Sequence, residues 1–492
     1  MQTKSASFFL VPFYYSVEGT EPNGVIWEVR KKPFVKEKDV LFPYIMDTIL
    51  GQTYSDEERE KLGVKKYLKI YQLNQTDEWD GDKGSFWSKI WKPFARKKHT
   101  TTVDGKEISF QFSDKGDIES PHLFVSEEAQ IGVMTFMVET DSGVEDLILL
   151  NYALHKTDKS IGPCCYQNST HSGASKSEEK VCRVITGTDD YSWSAGANIE
   201  WEMWQVVNLL LQGNAKGGDT FCPFSNIRMH FLTYRITDES EAGCSTYSGI
   251  IKHVSYLSHC CKNSYSLPLK QIEAEGKIMK TFENIYIGTS VEGCSIMAIA
   301  EPQNESFTET FYTHIHGRYF WIYLLVVLQR YTMFNMTRQL VEIESQNDNE
   351  RLWQLLEAYK HLKTTCFWGD VSPYTQHTQF YHHCCKGLRV NESFDEIDRK
   401  TSSIRLITEH NVQKLLDRQQ QNEKAQEKLI RNREIRLGLL VAIMTVAQVA
   451  GATYNIFEHS FMRVCMTIGA TVACILAIFI LWKSHSGRKS RE

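Results

Sequence analysis

Two stretches near the C-terminus, residues 437–457 and 464–482, contain no Asp, Glu, Lys or Arg, and they constrain this chain more than any other feature. At 1.5 Å per residue each is long enough, as a helix, to cross a hydrocarbon core of about 30 Å. Both are therefore expected to be transmembrane helices. Only residues 458–463 separate them, too few for a domain, so the pair should form an antiparallel hairpin whose outer ends share one side of the membrane. Arg431, Arg433 and Arg436 precede the first run, and Lys483, Arg488, Lys489 and Arg491 follow the second. Positive charge of this kind marks the cytoplasmic face. The expectation is a multi-pass protein of the cell inner membrane, with both termini and the large body before the hairpin in the cytosol.

The 492-residue length points to two or more folded units. A third apolar stretch, residues 319–328, is too short to span and is bracketed by Arg318 and Arg330, which suits a core helix. The N-terminal Phe8-Phe9-Leu10-Val11-Pro12-Phe13-Tyr14-Tyr15 lacks the basic lead and small-residue cleavage site of a signal peptide and reads as a buried strand. Thirteen cysteines include the adjacent pairs Cys164/Cys165, Cys260/Cys261 and Cys384/Cys385, which do not make a spaced disulfide framework. A net charge of −5 gives no support for a nucleic-acid partner.

Short β-branched and aromatic runs recur at residues 8–15, 25–29, 67–73, 108–112, 131–138 and 227–236, and Asp104-Gly105 suits a hairpin turn. Helical patterns over 146–155 and 201–212 interrupt them. The mixture predicts an α/β (α+β) cytosolic domain over 1–305, with a polar insertion at about 155–195. A helical part over 306–392 follows, then a stalk helix over 393–436. Neither Pro nor Gly occurs between Asn391 and Arg436, so the stalk can run unbroken into the first apolar run. Residues 437–457 and 464–482 are then transmembrane helices 1 and 2, joined by an outer turn over 458–463, and residues 483–492 form a basic cytosolic tail.

An advance of 100° per residue gathers Glu434, Gly438, Val441, Thr445, Gln448, Ala452 and Asn455 on about a third of the first apolar helix. Polar side chains at such depth face a neighbouring helix or a water path, and one hairpin cannot shelter them. That predicts an oligomer with Thr445, Gln448, Ala452 and Asn455 lining a pore. Gly469, Ala473 and Ala477 form a small-residue ridge on the second helix, which allows close helix approach.

A long C-terminal helix entering a first membrane helix, an Ala-Gly near its outer end, a short polar turn, a second helix and a basic tail resemble the CorA family of divalent-cation channels. Ala450-Gly451-Ala452-Thr453-Tyr454-Asn455-Ile456-Phe457-Glu458 stands where that family has Ala-Gly-Ile-Tyr-Gly-Met-Asn-Phe-Glu. Asn455 keeps the Asn of the Gly-Met-Asn signature, Thr453 and Tyr454 replace its Gly and Met, and the spacing is one residue shorter. The resemblance implies a homopentamer in a lipid bilayer, a pore lined by the first helix, and an outer mouth built from Thr453, Tyr454, Asn455 and Glu458. It implies a divalent cation such as Mg²⁺ as the permeant ion and no resident cofactor. CorA-like proteins with enlarged cytosolic domains and a degenerate signature are associated with type III CRISPR systems, and in that branch the gating ligand would be a small nucleotide second messenger such as SAM-AMP.

His382-His383-Cys384-Cys385 and His259-Cys260-Cys261 carry zinc-ligand residue types, but adjacent cysteines lack the spacing that converges on one tetrahedral ion, and no metal site is expected. His314 and His316 would face one way on a strand, as a structural pair. No HExxH, Walker A loop, GxGxxG or nucleophile elbow occurs, so no catalytic residue is assigned and no enzyme is expected. The expected function is an oligomeric ion channel gated from its large body, with an ordinary magnesium transporter, a membrane-anchored nucleotide-processing enzyme and a structural receptor as the alternatives.

Overall fold

The computed structural model describes residues 4–15, 22, 24–30, 42, 45, 68–75, 85–115, 118–156, 164–167, 181, 183–185, 198–212, 221–223, 228–238, 240–241, 243–262, 268–300, 305–346, 349–456 and 460–488. The chain divides into two compact units, Met1–Arg399 and Lys400–Glu492. Most of the polar insertion expected at about 155–195 lies outside the described residues.

The first unit is organised by β1 (Lys4–Tyr15), a strand whose Phe8, Phe9, Leu10, Val11 and Phe13 are all fully buried. Strand geometry sends alternate residues to opposite faces. Phe9 stacks on Phe136 at 5.5 Å on one face, and Phe8 packs on Phe320 at 4.8 Å on the other. β1 is thus a shared wall between two cores, which is why its sequence reads as a continuous apolar run. It pairs antiparallel with β7 (Ile131–Glu139) along nearly its whole length. Pro12 cannot donate a ladder hydrogen bond. On the other edge it falls in a gap, where pairing with β11 (His230–Thr237) ends at Leu10↔His230 and pairing with β10 (Phe221–Pro223) begins at Phe13↔Pro223.

From that pair the sheet extends both ways. Beyond β7 run β5 (Lys106–Phe112), β4 (His99–Val103), β8 (Cys164–Gln167) and β9 (Asn198–Trp201). A branch from β7 carries β6 (His122–Ser126), β3 (Lys69–Leu73) and β2 (Trp27–Val29). Beyond β11 come β14 (Gly293–Ile299), β13 (Ile285–Thr289) and β12 (Ile278–Phe282), with β11 and β14 parallel. Asp104 and Gly105 turn β4 into β5 with φ of 52° and 80°, the left-handed pair that a two-residue hairpin requires.

Helices α1 (Val144–Leu154), α2 (Met203–Gln212), α3 (Tyr247–His259) and α4 (Leu269–Ala274) fall between strands in the chain. After the last strand the chain is helical: α5 (Glu305–His314), a π-helical turn at Ile315–Tyr319, α6 (Phe320–Gln346), α7 (Asn349–Cys366), α8 (Thr375–Gly387), α9 (Val390–Ile456) and α10 (Ser460–Arg488). α6 carries the 319–328 stretch and is a core helix, packed on β1, β7, β11, α7 and α8. The expected passage from stalk to first apolar run without a break is present, since α9 is one helix of 67 residues, about 100 Å long at helical rise.

The fold class is corrected at its C-terminal end. Among the described residues no helix is long and apolar enough to cross a membrane. This overturns the expected two-helix transmembrane hairpin, the membrane-protein character and the multi-pass inner-membrane location. Residues 437–456 lie in α9 and residues 464–482 in α10. Within them Leu437, Leu440, Val441 and Met444 of α9, and Val464 and Ile468 of α10, stand exposed in the single chain.

Candidate functional site

The site is the root of α9, where this long helix joins the first unit. α8 closes with Gly387, and Leu388 and Arg389 form the corner before α9 begins at Val390. Arg389 sits in the left-handed region at φ 55°, where an L side chain costs about 1 kcal/mol and glycine would be the ordinary choice. Val390 and Ile397 are buried. Their spacing of seven places them on one stripe of the first turns of α9.

Two sets of contacts fix this root. On α8, Gly387 lies so close to β13 that an added Cβ would stand 2.5 Å from Thr289 Cβ. Thr289 Oγ1 donates to the His383 carbonyl at 3.2 Å, and His383 Nε2 donates to the Lys277 carbonyl at 3.1 Å. Burial lowers the His383 pKa to about 4, so its ring is neutral and serves packing. Cys384 and Cys385 of the same His-His-Cys-Cys motif are also buried, and His382 is exposed. On α9 itself, Phe394 packs on Phe367 at 4.7 Å, and Asp398 accepts from Tyr359 Oη at 3.2 Å and from Lys363 Nζ at 2.8 Å.

Tyr323, Arg330 and Tyr331 of α6 are seven and eight residues apart and therefore share one face of that helix. Tyr323 is fully buried and Arg330 is only 8% exposed. Among the described residues Arg330 Nε and Nη1 and Tyr323 Oη find no hydrogen-bond partner. The guanidinium stacks over Phe334 at 4.8 Å, which gives it a face but no counter-charge. Burial lowers its pKa, and Arg389 is close enough to push the same way. The carboxylate that opposes them, Glu292, accepts from Ser290 Oγ at 2.8 Å. Beside the cluster, His230 Nδ1 donates to the Glu292 carbonyl at 3.1 Å, which leaves Nε2 to accept from Tyr331 Oη at 2.7 Å. Burial, with Arg330 next in effect, lowers the His230 pKa to about 3 and keeps it neutral.

A second buried network holds the π-helical turn at the start of α6. Glu119 accepts from His316 Nδ1 at 2.9 Å, Tyr312 Oη at 3.0 Å, Ser113 Oγ at 3.0 Å and Lys115 Nζ at 3.1 Å. Burial alone would raise its pKa, but the hydrogen bond and charge of His316, then Lys115, outweigh burial and bring it to about 2. Nε2 of His316 lies 3.0 Å from Tyr234 Oη. His314 and His316 are helical and not on a strand. Only His316 faces inward, into a network of structural hydrogen bonds.

The residues expected to line a pore lie far along α9. Thr445, Gln448 and Ala452 are exposed, and Thr445 Oγ1 donates to the Val441 carbonyl of its own helix at 2.8 Å. Thr453, Tyr454 and Asn455 fall in the last turn of α9, and Glu458 lies outside the described residues. A Cβ added at Gly438, Gly451 or Gly469 would meet nothing within 4 Å in the single chain. Sequence reasoning noted Arg330 only as a boundary. No acidic residue stands between Glu309 and Glu342, so this cation has no acidic partner within reach on its own helix, but that pattern alone does not show that it is buried. No protein-family model, curated protein or solved structure matches this chain.

Proposed function

We propose that the chain is a ligand-responsive switch, in which the first unit senses a small anionic ligand and α9 carries the change into the second unit. The observation that supports this most is the continuity of α9: its first turns bury Val390 and Ile397 and bond to Tyr359 and Lys363 of α7, and the same unbroken helix runs on to exposed residues. A rigid rod rooted in a folded core transmits a small change at its root, and binding need only favour one of two states of that root. The exposed apolar residues of α9 and α10 are read as surfaces through which copies of the chain assemble. The reading does not draw on ion conduction, the part of the CorA resemblance that needs a spanning helix.

The test is hydrogen exchange of residues 413–449 in the full chain, with and without inorganic phosphate, AMP or ATP. The expected result is a change in exchange with at least one of these, abolished when Ser403→Pro breaks the rod. Sedimentation should show a closed oligomer. Exchange in 413–449 that is indifferent to all three compounds would remove the switch reading, and a monomer would remove the assembly.

A further inference from the structure

Three features of the α6–α8–α9 corner converge. Arg330 and Tyr323 present buried donors with nothing to receive them, although buried polar groups are almost always paired and a lone buried charge is costly. Arg389 supplies a second guanidinium from the corner itself, at a backbone conformation that strains any residue but glycine. Among the described residues the carboxylate that acts on Arg330 is Glu292, and it accepts a hydrogen bond from Ser290 Oγ.

We propose that Arg330, Tyr323 and Arg389 form a binding site for a phosphate group, either free or carried by a nucleotide. Two guanidinium groups match the charge of a phosphate dianion, and their planar forks match its oxygens, while a hydroxyl adds a third donor. A carboxylate would leave one of the two cations uncompensated. In the ligand-free chain Nε and Nη1 of Arg330 are sealed from solvent, so the phosphate reaches them only when the corner at Leu388–Arg389 opens. Binding therefore selects an open corner, and the corner is where α9 begins. In this respect the inference rests on the switch reading above and names its ligand chemistry.

Titration calorimetry on the full chain tests the site without reference to α9. Inorganic phosphate, AMP and adenosine are the probes, and Arg330→Met and Arg389→Gln are the variants. Phosphate or AMP is expected to bind, adenosine is not, and each variant is expected to weaken binding at least tenfold. Equal affinities for phosphate and AMP identify a free-anion site, whereas AMP binding at least tenfold tighter identifies a nucleotide site. Should Arg330→Met fail to fold by circular dichroism, the exposed Arg389→Gln decides. The proposal is overturned if the wild-type chain binds neither phosphate nor AMP at millimolar concentration, or if the variants bind as the wild type does. Binding without any change in the exchange of 413–449 would leave the site standing and remove the switch.

Discussion

Replacing Glu119 by Gln preserves the shape of the network at the start of α6 and removes its charge. The folded carboxyl titrates at about 2 against an ordinary 4.5, a depression of about 2.5 units, or about 3 kcal/mol at 1.36 kcal/mol per unit. The side chain is 10% exposed, so solvent screening takes little from that figure. A depressed carboxyl contributes stability that is fully present above pH 4.5 and is lost as pH falls from 4.5 through about 2. At pH 3.5 about 1.4 kcal/mol of it should already be gone. Glu119→Gln is therefore expected to cost about 3 kcal/mol at pH 7 and about half that at pH 3.5, as the wild type protonates toward the same state. A global transition would mix two units, so the readout is local: hydrogen exchange of the α6 amides over residues 319–328, followed by mass spectrometry at both pH values. Unchanged protection at pH 7, or a difference that persists undiminished at pH 3.5, would show that the four donors around Glu119 do not stabilise the charged form.

Gly387→Ala is expected to destabilise the first unit by about 1–3 kcal/mol, because the new Cβ meets Thr289 Cβ and Oγ1 at 2.5 Å and the Thr289 backbone at 3.1 Å, where rotation of the threonine gives no relief. A melting temperature that does not fall would mean that α8 is free to shift off β13. Arg389→Gly is expected to raise stability by about 1 kcal/mol, since it relieves the left-handed residue, while it weakens phosphate binding. Urea denaturation and calorimetry on the same preparation check both halves, and loss of stability would place the value of Arg389 in the closed corner itself.

What the sequence disclosed follows from local physics. Asp104-Gly105 determines a hairpin because its two left-handed residues do so anywhere, and α9 is continuous because nothing between Asn391 and Arg436 breaks a helix. β14 is buried on both faces and shows no alternation, so its pattern carries no strand signal apart from the sheet that encloses it. His314 and His316 are spaced like a strand pair and are helical, because the π-helical turn that places His316 against Glu119 is held by a loop some 200 residues earlier. The apolar runs at 437–457 and 464–482 were read by length and charge, and these describe a helix without saying what surrounds it.

Arg330 shows why the candidate site was less legible than the fold. An arginine at the end of an apolar stretch reads as the place where a helix returns to water, and on α6 that reading fails because Arg330 is buried on a helix packed against β11 and α8. Burial without a counter-charge is a tertiary property, created by elements up to about a hundred residues away in the chain. Two separate costs stand in the ligand-free chain, an unpaired guanidinium on α6 and a left-handed arginine at the start of α9. On the proposed reading, an anion that satisfies both arginines favours an open corner over the closed one, and that corner is where a helix of 67 residues begins.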